Sequence, residues 1–154
     1  MAETPFRPNS GRHHVVIIGA GFGGLTAARK LKNANVDVTI IDKKNHHLFQ
    51  PMLYQVATGM ISAGEISPST RQILRDQDNA NFVNAEVTNI NLEDKTVSVD
   101  LDGTQRVYGY DSLIVAAGAG QSYFGNDHFA EFAPGMKTLD LSLIHISEPT
   151  RLLS

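Results

Sequence analysis

Gly19, Gly21 and Gly24 stand in the spacing Gly-x-Gly-x-x-Gly, and Asp42 follows 23 positions after the first of them. Residue types in that pattern suit the binding of a dinucleotide. Gly19 permits a sharp exit from a strand, where a side chain would restrict the backbone. Gly21 lets a pyrophosphate approach the main chain, and Gly24 lets a helix pack closely on a sheet beside the small Ala27 and Ala28. The start of that helix offers N–H groups and a partial positive charge of about +0.5 to an anion. The Asp42 carboxylate suits ribose hydroxyls and repels a 2′-phosphate. The competing reading is an α/β turn whose glycines serve packing alone, with an exposed acid at its end.

These residues need a strand, a turn, a helix and a second strand to position them. The apolar run Val15-Val16-Ile17-Ile18 enters the glycine turn, an alanine-rich helical stretch follows, and a second apolar run, Val36 to Ile41, ends on Asp42. The segment KKNHHLFQPMLYQVATG after Asp42 lacks periodicity, yet it is too aromatic and apolar for a solvated linker and is expected to lie against a core or a ligand. His46 and His47 are adjacent, a spacing that suits a cap or a packed polar contact better than chelation. Ser67 and Pro68 predict the N-cap and first position of a short helix ending near Asp76. Strands are predicted over 81–87, 96–101 and 104–108, the last two flanking the hairpin dipeptide Asp102-Gly103. Leu113 to Ala117 read as a strand covered on both faces. Ala116, Ala117 and Gly118 follow as small residues, either for a cofactor to cross or as a plain glycine turn. The fold class is therefore α/β: a parallel sheet with an inserted antiparallel meander.

A chain of 154 residues allows one ordinary domain. With 42% apolar and 19% charged residues it is globular in composition. The net charge is −3 with scattered basic residues, which gives no footprint for nucleic acid. The absence of cysteine excludes disulfides, a thiolate metal site and a redox-active cysteine pair within this segment. Residues 1–12 lack the apolar core of a signal peptide and read as a disordered lead-in, so the cytoplasm is the default location.

Three stretches carry a resemblance: VVIIGAGFGGLTAARKL, NHHLFQPMLYQVATG with the following ISAGEISPSTR, and YDSLIVAAGAGQSYFGNDHFAEFAPGMKTLD. Residues 13–140 resemble the N-terminal part of the FAD-binding domain of the bacterial type II NADH dehydrogenases, non-electrogenic NADH:quinone oxidoreductases. The resemblance implies a Rossmann-like fold, FAD as cofactor, NADH as donor and a membrane quinone as partner. It also implies peripheral association with the cytoplasmic face of the inner membrane. Gly19, Gly21, Phe22, Gly23 and Gly24 would line the FAD pyrophosphate, Asp42 would hold the adenosine ribose, and Lys43 stands beside it. Val87 would contact the adenine through its backbone. Ala116, Ala117 and Gly118 would lie beneath the cofactor, and the segment from Gln50 to Thr58 nearest the isoalloxazine.

In such an enzyme a hydride passes from the nicotinamide to the flavin and two electrons leave to the quinone, with no acid, base or nucleophile required of this segment. His46, His47 and His128 are given no such role. Related disulfide reductases place a cysteine pair shortly after the ribose acid; its absence here fits a quinone acceptor. The alternatives are a ferredoxin-type or sulfide:quinone reductase, or a non-catalytic nucleotide-binding module.

Residues 141–151, LSLIHISEPTR, are also what a transposase-end adapter used in sequencing libraries encodes, so 141–154 are expected to be a non-native tail; the competing reading is a genuine divergent terminus with a short strand from Leu141 to Ile146. With a non-native tail the chain would be an incomplete flavin domain, with weak or no FAD binding and no NADH dehydrogenase activity alone. Stoichiometric flavin retained through gel filtration would overturn that expectation.

Overall fold

The computed structural model describes residues 4–120, 122, 124–128, 132, 138 and 140, so the tail from 141 lies outside the described residues. The chain divides into two compact units, one of residues 1–46 with 69–118 and one of 47–68 with 119–154.

Among the described residues the first unit holds two sheets. Strands β1 (His13–Ile18), β2 (Val36–Asp42), β3 (Ala80–Asn84) and β7 (Ser112–Val115) pair in parallel in the order β3-β2-β1-β7. Strands β4 (Glu86–Asn91), β5 (Thr96–Leu101) and β6 (Thr104–Gly109) form the antiparallel meander. Helix α1 (Phe22–Lys30) joins β1 to β2, and the short α3 (Thr70–Leu74) precedes β3. This is the expected Rossmann-like α/β arrangement.

Side chains alternate across a strand, so β1 and β2 each feed two cores. Val15, Ile17, Val38 and Ile40 pack with Leu25 and Ala28 of α1, Leu74 of α3 and Phe82. Val16, Ile18 and Ile41 pack with Val97, Val99 and Tyr108 of the meander. Burial on both faces is why these strands read as unbroken apolar runs.

Several boundaries differ from expectation. The run 81–87 splits at Ala85, whose N–H donates to the Asp42 carbonyl, and the chain leaves the parallel sheet for β4. Apolar Phe82 and Val83 suit a strand buried on both faces, whereas Glu86 to Asn91 are mostly exposed and suit an outer ribbon. The short helix starts after Ser69 rather than Ser67. The Pro68 carbonyl instead accepts the His47 N–H, and the Ser67 hydroxyl donates to the Ala63 carbonyl. Strand β7 ends at Val115, at the margin of the sheet, and is not covered on both faces: Val115 is 63% exposed.

Residues 6–12, expected to be a disordered lead-in, are tied to the first unit. The Phe6 N–H donates to the Val107 carbonyl, the Gly109 N–H donates to the Phe6 carbonyl, and the Phe6 ring meets Tyr108 edge-on at 5.3 Å. Arg7 pairs with Asp111 at 2.8 Å, and Arg12 and Ser10 both bond the buried Asp37. Pairing to β6 and a buried partner charge offset the entropy of ordering this segment.

The second unit is small. Leu53 and Val56 of α2 (Leu53–Ala57) bury against Ile66, so the apolar segment after Asp42 builds a core of its own. A capping box at Ser62 and Glu65 starts the turn that carries Ile66, with the Glu65 carboxylate accepting the Ser62 N–H at 2.7 Å.

Candidate nucleotide-binding site

The turn between β1 and α1 is held by close backbone packing. Gly19 has φ +100°, and a Cβ there would lie 2.7 Å from the Ala116 carbonyl carbon. A Cβ on Gly24 would lie 3.0 Å from the Gly19 carbonyl carbon and strike its oxygen. Gly24 therefore packs on the turn itself as well as on Ile17 of β1. Gly21 differs: a Cβ there meets nothing within 4 Å, so its missing side chain leaves open space beside the backbone. A Cβ on Gly23 would meet the Ala116 Cβ at an ordinary 3.7 Å, and Phe22, the first residue of α1, is half exposed.

Asp42 ends β2 beside this turn. Its Oδ2 accepts the Ala20 N–H at 2.6 Å and its Oδ1 accepts the Lys44 N–H at 2.8 Å. The Gly19 N–H donates to the Ile41 carbonyl at 2.8 Å. The turn is thus fastened to β2 by one main-chain and one side-chain bond.

A cavity of about 160 Å³ opens between the ends of β1 and β2. It brings together Gly19, Asp42, Lys43, Val87 and Ala117 of the expected site residues. Gly21, Phe22, Gly23, Gly24, Ala116 and Gly118 do not line it. Gly118 (φ +75°) ends the strand-following stretch, and Ala116 donates its N–H to the Ile18 carbonyl. Val87 lies near the start of β4, beside a bulge, rather than at the end of its strand as expected. Glu86 completes the rim, 4.0 Å from the Lys43 Nζ, and was not anticipated; its only sequence signal was adjacency to Val87.

Two ionisable groups hold the framework at the amino ends of β1 and β7, the opposite ends from the turn. His14 is buried, with Nδ1 2.6 Å from the Gly109 carbonyl and Nε2 2.8 Å from the Thr39 hydroxyl. Burial pushes its pKa below the usual histidine value. Asp111 accepts from Arg7 and from the His14 N–H, and these bonds hold its carboxyl down to about 2.

The sequence profile of the pyridine nucleotide-disulphide oxidoreductases matches residues 13–148. The chain belongs to that family. It is 63% identical over 132 residues to the type II NADH:quinone oxidoreductase Ndh of Mycobacterium tuberculosis, covering 86% of this chain and 28% of that protein. The structure of NDH2 from Plasmodium falciparum in complex with NADH is 27% identical, with a TM-score of 0.79 over 88% of this chain and 28% of that one. The sulfide:quinone oxidoreductase of Aquifex aeolicus is 26% identical, with a TM-score of 0.76 over 88% of this chain and 31% of that one. The chain therefore spans a little under a third of each relative. Within the family, the glycine turn, Asp42 and the adjoining cavity occupy the carboxyl ends of parallel strands, where open α/β sheets bind their ligands.

Proposed function

We propose that this chain is the N-terminal flavin-binding part of an NADH:quinone oxidoreductase, which passes a hydride from NADH to FAD and two electrons to a membrane quinone. The observation that carries this reading is the 63% identity to a type II NADH:quinone oxidoreductase across most of the chain. The 26% identity to a sulfide:quinone oxidoreductase supports that alternative less. Peripheral attachment to the cytoplasmic face of the inner membrane belongs to the same proposal. Among the described residues no helix is long and apolar enough to cross a membrane.

The residues present fit FAD. Gly21 leaves room for a pyrophosphate where a side chain would fill it, at the N-terminal end of a helix with no side-chain cap. The cavity beside Asp42 is of a size and polarity to take part of an adenosine, with Val87 on its wall and Ala117 beneath. FAD, when bound, supplies the redox chemistry. The chain's own residues bind and orient it. Gly19 to Gly24 seat the phosphates, Asp42 engages the ribose, Lys43 and Glu86 frame the adenosine, and Ala116 to Gly118 leave clearance for the cofactor.

The experiment is a chimera in which residues 13–140 replace the matching segment of the mycobacterial Ndh. The expected result is NADH-dependent quinone reduction within about tenfold of the parent's rate, a barrier change of ~1.4 kcal/mol. A folded, flavin-containing chimera that cannot reduce quinone would overturn the proposal.

A further inference from the structure

The Asp42 carboxylate does more on this fold than face a ribose. Its Oδ2 takes the N–H of Ala20, the residue between Gly19 and Gly21, at 2.6 Å. Its Oδ1 takes the Lys44 N–H at 2.8 Å, and its own carbonyl accepts from the Ala85 N–H and the Asn84 side-chain amide, both at 3.0 Å. Every polar end of Asp42 is therefore fixed by the protein, and one of those ends is fixed to the turn. Ala20 itself is buried, and the bond is partly buried.

We infer that Asp42 is a positioning residue for the phosphate-binding turn: it holds the turn's backbone through the Ala20 N–H, independently of any contact with a ribose. The inference rests on the reading of this turn as a dinucleotide seat. Gly19 and Gly24 prevent collisions but exert no pull, whereas the Gly19 N–H bond to Ile41 and the Ala20 N–H bond to Asp42 draw the turn onto the end of β2. A carboxylate has about four acceptor sites. Two are taken by main-chain N–H groups, which leaves capacity for ribose hydroxyls at the same time. One side chain thereby couples the adenosine side of the site to its pyrophosphate side.

The test titrates ADP and 2′,3′-dideoxy-ADP by calorimetry into the flavin-free chimera that carries residues 13–140 in the mycobacterial Ndh, and into its Asp42→Ala and Asp42→Asn variants. The dideoxy ligand has no ribose hydroxyl for the carboxylate to hold. The Ala variant is expected to lose about fivefold or more in affinity even for that ligand, because the turn is released. The Asn variant is expected to lose less dideoxy affinity than the Ala variant, since its amide oxygen still accepts the Ala20 N–H, while its NH2 group then faces the Lys44 N–H in place of an acceptor. Unchanged dideoxy-ADP binding by the Ala variant would overturn the inference, since the whole effect would then travel with the hydroxyls. An unsubstituted chimera that binds neither ligand counts against the dinucleotide reading instead. In that case, or if the Ala variant does not fold, the Ala20 amide decides. Slow hydrogen exchange and a downfield shift in the unsubstituted chimera support the bond, and exchange at the rate of an exposed loop amide overturns it.

Discussion

At the scale of single residues, the glycines of the turn divide by what surrounds them. Gly24→Ala would drive a Cβ into the Gly19 carbonyl, backbone against backbone, and is expected to cost roughly 2–4 kcal/mol of stability. Gly21→Ala meets open space and should change stability by less than about 1 kcal/mol while weakening nucleotide binding. Denaturant midpoints paired with ADP titrations, both on the chimera carrying residues 13–140, separate the two effects. Gly19 and Gly24 were legible because only glycine tolerates these approaches. The bond from Asp42 to Ala20 was not, because it depends on a rotamer no spacing reveals.

His14 was equally silent: beside His13 at the start of a strand it carries no mark of burial. Burial lowers the pKa of its imidazole, so the unfolded chain takes up a proton at a higher pH than the folded one does. Stability should therefore fall as the pH drops below about 6.5, the unfolded value. Arg7 favours the neutral ring, and Asp37 and Asp111 oppose it. Denaturant midpoints measured across that range should slope for the wild-type chain and flatten for His14→Gln.

At the scale of elements, the N-terminal segment and the meander support one another. Arg7 bonds both Asp111 and the Tyr110 carbonyl, and Asp111 also takes the N–H of His14 at the start of β1. Asp111→Ala should cost about 1 kcal/mol, kept small because solvent screens the half-exposed Arg7 pair. The carboxyl is lowered from 3.8 to about 2, so its contribution is complete above the unfolded value and lost as the pH falls through the folded one. Acid unfolding curves of the wild-type and variant chains should converge below that window.

The hairpin between β5 and β6 was legible for a physical reason. Asp102 and Gly103 both take positive φ, 49° and 88°, the conformation that Asp-Gly accepts readily. Gly103→Ala should lower stability by about 1 kcal/mol, read from the thermal midpoint. The break at Ala85 was not legible, since Asn81 to Val87 reads as one run, and only the tertiary pairing of Ala85 with Asp42 divides it. The helix start moved to Ser69 because Pro68 is engaged across the second unit by His47, a contact between residues distant in sequence.

At the scale of the whole molecule, the parallel sheet is sandwiched between α1 and α3 on one face and the meander on the other, and its strand ends present the turn and Asp42 together. The apolar runs made that sandwich legible, because a strand buried on both faces has no polar face to show. The role of the 47–68 segment was only half legible. Its apolar content announced burial, but not that Leu53, Val56 and Ile66 would form a separate small core.

The central claim is that the glycine turn seats FAD, and flavin content tests it most directly. In the chimera carrying residues 13–140, the unaltered turn should retain about one flavin per chain, consistent with a tightly bound cofactor. Gly21→Val should leave the protein folded but colourless, because its side chain fills only the space a pyrophosphate needs. A Gly21→Val chimera that keeps its full complement of flavin would contradict the account.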